Sequence, residues 1–71
     1  MKEKIIALIE EVLQVPAGTV NEATMAEELD EWDSLAQVMM IGELESRLGI
    51  SIPLDEAMEI KGVADILKYI A

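Results

Sequence analysis

The chain contains no histidine and no cysteine, and those two gaps exclude more chemistry than any motif in it suggests. The usual general base, the thiol nucleophile, the disulfide and most zinc or iron ligand sets are all missing. Phenylalanine is absent too, and tryptophan and tyrosine occur once each, which leaves aliphatic side chains and methionine to fill a core. Basic residues are scarce: five Lys and Arg stand against fifteen Asp and Glu, and none falls between Lys4 and Arg47. A phosphate backbone would meet repulsion and no basic stripe, which excludes nucleic acid as a partner. No apolar run approaches the roughly 20 residues of a membrane span, and the first residues alternate in charge instead of forming a signal peptide. The expectation is a cytoplasmic, monomeric protein with no catalysis of its own. Lack of cysteine fits a reducing compartment.

What is present is acid and aliphatic side chain. The net charge is −10, and the ten acids from Glu10 to Glu45 carry all of it, the two ends summing to zero. Such a field steers basic protein surfaces toward it, while also keeping a small apolar domain in solution. A chain of 71 residues makes one domain over 1–71, burying only about 60% of its unfolded surface.

Hydrophobic periodicity predicts an all-α protein. Ile5, Ile9, Val12 and Leu13 repeat at helical spacing, widened by Ile6 and Leu8, with Lys2, Glu3, Glu10, Glu11 and Gln14 on the polar side and Pro16 and Gly18 as the stop. Met40, Ile41, Leu44 and Leu48 form a second stripe from Ser34 onward, followed by Gly49 as C′ residue. Val63, Ile66, Leu67 and Ile70 make a third stripe after the break at Gly62. Between them Ile50 to Pro53 reads as an extended linker, and Asp55 as cap of a short turn through Ile60. The resulting fold is a small four-helix bundle, three long helices and one short, with a long loop over residues 15 to 33 between the first two. Within that loop Thr24 is a candidate cap with Glu27 as its capping-box partner, Met25 and Leu29 facing inward.

Ser34 opens the second helix, after Asp33 and the single tryptophan, Trp32. Read for structure alone, Ser34 and Gln37 have capping-box spacing and need no function. Read for chemistry, a serine at an exposed helix start is an attachment point for another protein to modify, since no base in the chain activates it as a nucleophile. Trp32 is expected to anchor the end of the loop by burying its ring.

Three blocks decide between these readings: Asp33-Ser34-Leu35, the run from Leu44 to Pro53, and Val63 to Leu67, in order and spread across nearly the whole chain. Together they resemble the acyl carrier proteins, the family that carries acyl or aminoacyl groups as thioesters on a phosphopantetheine arm. The resemblance implies that a phosphopantetheinyl transferase, using coenzyme A and a divalent metal, makes a phosphodiester at Ser34. It also implies acyl-loading and acyl-processing enzymes of fatty acid, polyketide or related pathways as partners. Many fatty-acid carriers hold acids at the positions of Ala36 and Met39, so part of the charged docking face is missing here. Partner recognition is then expected from Asp33, Leu35, Val38, Met39, Gly42 and Glu45, with Glu27, Glu28, Asp30 and Glu31 as an acidic patch on the loop. Val38 packs under the loop or stays open; both placements fit the pattern. The alternative is an acidic helical adaptor in which Ser34 is only a cap and the exposed arc of the second helix binds a partner helix. Calcium binding by Glu27 to Asp33 fails on EF-hand spacing and its missing central glycine, so no metal site is assigned.

Overall fold

In a computed structural model, residues 1–70 are described. They form helices α1 (Lys2–Leu13), α2 (Ser34–Leu48), α3 (Leu54–Ala57) and α4 (Val63–Leu67), with 3-10 turns at Ala26–Glu28 and Lys68–Ile70. The four-helix architecture expected from periodicity is observed. Its last helix is shorter than its stripe, because the α-helical part ends at Leu67 and the chain tightens into the 3-10 turn that carries Ile70.

Helix α1 buries Ile5, Leu8, Ile9 and Leu13, and leaves Ile6 and Val12 half-buried. It stops before Pro16 is reached. Gln14 takes a left-handed conformation with φ 59°, its N–H bonding Glu11 O at 3.2 Å while the Val15 N–H bonds Glu10 O at 3.1 Å. That paired closure satisfies the last carbonyls of the helix. Glu10, expected on the polar side, is instead buried, and its Oε2 accepts from the N–H groups of Gly18 at 2.8 Å and Val20 at 3.0 Å. The long loop must fold over the end of α1, and its unpaired amides recruit the nearest carboxylate.

The loop differs from expectation at its centre. Thr24 is buried and accepts from the Asn21 N–H at 2.9 Å, so it closes the turn before it. The 3-10 turn after it is closed by Glu28, not Glu27, whose Oε1 accepts from the Met25 N–H at 2.7 Å. Met25, expected to face inward, is 39% exposed. Ala26 N–H donates to Lys61 O at 2.8 Å and Val63 N–H to Thr24 O at 3.1 Å, forming a two-bond bridge across Met25 and Gly62. A Cβ at Gly62 would lie 2.9 Å from Thr24 O and 2.9 Å from Met25 Sδ, so only glycine allows the two segments this close.

Helix α2 ends at Gly49 in the left-handed region (φ 70°), as its sequence predicts. Met40 and Leu44 are fully buried, while Ile41 and Leu48 are half-buried. The core centres on Ile5, Ile9, Met40, Leu44, Val63 and Ile66. Ile50 and Ile52 of the extended linker also point into it, with Ser51 exposed. The short helix α3 begins at Leu54 after Pro53, so Asp55 lies in its first turn and does not cap it. Arg47 ties α2 to α1 through Glu11, reinforced by Glu43 at 3.3 Å.

Candidate functional site

The N-terminus of α2 is built by a division of labour between two adjacent residues. Asp33, extended at φ −97° and ψ −173°, is the cap, and its Oδ1 accepts from the Ala36 N–H at 2.9 Å. Its negative charge complements the partial positive charge of the helix start better than a neutral hydroxyl does. Ser34 is consequently the first helical residue and is exposed. The capping box between Ser34 and Gln37 does not form. Gln37 is engaged elsewhere: its Oε1 accepts from Trp32 Nε1 at 2.6 Å, and its Nε2 donates to Ala57 O at 2.8 Å. Trp32 is buried at 6% exposure, anchoring the loop as expected, with its indole N–H paired.

Beside Ser34 opens a cleft of about 400 Å³ with three walls. The loop supplies Ala26 and Trp32, α2 supplies Asp33, Ser34, Gln37 and Val38, and the stretch leaving α3 supplies Met58 and Ile60. Apart from Asp33, no charged group lines it. A larger hollow of about 510 Å³ lies between α3 and α4, lined by Glu56, Glu59, Asp65, Lys68 and Tyr69. It is acidic and includes none of the residues at the start of α2. There the Tyr69 hydroxyl donates to Glu56 at 2.6 Å, and this bond pushes its ionisation up to about 12.

The expected recognition residues fall on two surfaces. Leu35 (70%), Val38 (58%) and Met39 (52%) are exposed, as are Gly42 and Glu45. Val38 therefore stands open and lines the cleft instead of packing under the loop. Ala36 is buried, so of the pair Ala36 and Met39 only Met39 stands on the outer face. Leu54 and Met58, each 71% exposed, extend this apolar surface onto α3. Sequence reasoning missed both, although their i, i+4 spacing on an otherwise acidic turn was available as a signal. Glu27, Glu28, Asp30 and Glu31 are all exposed on the loop and make no ion pair among the described residues. Nor do any three described acids converge to hold a metal ion.

Residues 3–70 match the family model described as phosphopantetheine attachment site. The chain belongs to that family. It is 42% identical over 69 residues to an acyl carrier protein of Thermosynechococcus vestitus, covering 96% of this chain and 84% of the relative. An acyl carrier protein of Helicobacter acinonychis is 44% identical over 69 residues, with coverage of 96% and 87%. In three dimensions the chain is similar to the solution NMR structure of a holo acyl carrier protein from Geobacter metallireducens. That match has a TM-score of 0.82 at 25% identity, covering 97% of this chain and 79% of the other. Phosphopantetheine, held covalently, is the family's prosthetic group. The start of α2 suits such a group: a phosphodiester is an anion, and free N–H groups and the helix dipole favour negative charge there by about 0.3–1 kcal/mol. The apolar cleft alongside offers cover for the arm's carbon skeleton. No described helix is long and apolar enough to cross a membrane.

Proposed function

We propose that residues 1–71 form one acyl carrier domain, with Ser34 the atom-bearing residue to which phosphopantetheine is attached. The single observation that carries this is the exposure of Ser34 at the first position of α2, released from capping by Asp33 and adjoining an apolar cleft. The chain is a substrate and not a catalyst. Its hydroxyl oxygen attacks the phosphorus that bears the pantetheine in coenzyme A. The phosphoanhydride bond breaks, adenosine bisphosphate leaves, and the serine proton passes to a base of the transferase. Histidine and cysteine are absent from this chain, and Asp33, the carboxylate beside Ser34, is engaged as the helix cap, so the base is assigned to the transferase. Asp33 is like-charged with the product phosphate, so its service is to cap α2 and to meet the transferase or its metal.

Loading and processing enzymes are read as docking on the Leu35, Val38, Met39 and Gly42 face with Glu45 at its edge. The Glu27, Glu28, Asp30 and Glu31 patch supplies long-range attraction for basic partners. The site of action is the cytoplasm, and the cargo is an acyl or aminoacyl thioester. Intact mass after incubation with coenzyme A, Mg²⁺ and a promiscuous phosphopantetheinyl transferase tests the assignment. The expected outcome is one phosphopantetheine mass on the unmutated chain and none on Ser34→Ala. No gain on the unmutated chain would favour the adaptor reading instead.

A further inference from the structure

Of the residues lining the cleft beside Ser34, Gln37 has a property the others lack: it hydrogen-bonds both of the remaining walls. Its amide oxygen holds the loop through Trp32 Nε1 at 2.6 Å, and its amide nitrogen holds the end of α3 through Ala57 O at 2.8 Å. An amide is the side-chain group that supplies an acceptor and a donor together without charge. The indole N–H depends on it, being on a ring only 6% exposed, while Ala57 O, a last-turn carbonyl of a four-residue helix, has the Ile60 N–H at 3.3 Å as its other donor.

Widening the cleft toward the core means parting α2 from the loop or from α3. Parting α2 from the loop leaves the buried indole N–H without its partner, and parting it from α3 removes the shorter of the two bonds to Ala57 O. The core residues Met40, Leu44 and Ile66 are packed with no exposure at all, so a chain entering the core would also have to displace close-packed side chains. We propose that Gln37 is a latch that fixes the width of this cleft and sets the cargo class. With the latch closed, the carrier keeps short or polar acyl groups at its surface and gives a long alkyl chain no shelter in the core. This rests on attachment of the arm at Ser34.

The test loads the chain by transferase from acetyl- and dodecanoyl-coenzyme A, verifies each product by mass, and compares melting temperature and Trp32 fluorescence. The unmutated chain is expected to melt at the same temperature with either cargo and to keep its emission wavelength. Gln37→Leu removes both bonds, and its dodecanoyl form is expected to melt higher than its acetyl form. Trp32→Phe removes only the loop bond and, read by melting temperature alone, serves if the leucine variant does not fold. A rise in melting temperature or a shifted Trp32 emission on dodecanoyl loading of the unmutated chain would overturn the latch. So would variants that fold but remain indifferent to chain length. Absence of any mass gain would overturn attachment at Ser34, and the latch with it, whereas mass gain with the wrong cargo dependence removes the latch alone.

Discussion

Asp33 and Ser34 perform two tasks that either residue type takes up at a helix start, and the order in which they stand assigns them. The aspartate is placed to accept from Ala36 N–H, and the serine, one residue further on, is left outward-facing. Asp33→Ala is therefore expected to cost about 1 kcal/mol of stability, whereas Ser34→Ala should leave the urea midpoint nearly unchanged. Equal losses for the two would show that the cap is shared. Tyr69 offers a second test at this scale. Its phenol donates to Glu56, and the folded value is raised to about 12, from an ordinary value near 10. The protonated form is the one the fold favours, so the contribution is complete below pH about 10 and is lost as pH rises toward about 12. Phenolate absorbance should titrate late in the folded chain, and Tyr69→Phe should remove that part of the alkaline stability loss. On the acid side the sign reverses. Glu11, held below the usual carboxylate range by its hydrogen bond to Arg47, stabilises above pH about 4 and loses that contribution as pH falls further.

The element that most depends on the rest of the molecule is the long loop. It contains one 3-10 turn and short local bonds such as Asn21 N–H to Thr24, and it is tied to the rest of the molecule from outside: by Glu10 on α1, Lys61 and Val63 at the start of α4, and Gln37 on α2. Gly62→Ala tests the closest of these approaches. Its Cβ would meet Thr24 O at 2.9 Å, a backbone atom that cannot swing aside, so a loss of about 1–3 kcal/mol is expected. Faster hydrogen exchange at the Ala26 and Val63 amides should accompany it. Wild-type stability and exchange in this variant would mean the bridge is slack. Trp32 holds the other end of the loop, which is why the cleft wall beside Ser34 is well defined.

At the scale of the whole molecule, charge dominates. A net of −10 on 71 residues, with Lys2, Arg47 and Lys68 the only basic side chains in ion pairs among the described residues, makes the fold self-repelling. Added salt or millimolar Mg²⁺ should raise the melting temperature by screening over about 10 Å; a melting temperature indifferent to both would count against this. Neutralising Glu27, Glu28, Asp30 and Glu31 together should slow association with the transferase at low salt and leave the helical circular dichroism unchanged. Unaltered association would reduce the patch to a solvated face. Because the surface of α2 from Ser34 to Gly42 carries no charge, salt is expected to weaken docking without abolishing it.

Periodicity, breakers and composition were enough to determine the helical class, the extent of α1 and α2, the stop at Gly49 and the outward serine at the start of α2. These are local matters, set by side-chain spacing within a turn or two and by the conformations glycine and proline permit. The absence of histidine and cysteine was likewise legible from sequence alone. Tertiary structure alone decided the burial of Glu10, the exposure of Met25 and of Leu54 and Met58, and the transfer of Gln37 from a local capping role to a link between Trp32 and Ala57. Each depends on which distant backbone amide or carbonyl arrives next to the side chain. A hydrogen-bonding group takes the partner that folding brings within about 3 Å, and sequence spacing specifies such partners only along a single helix.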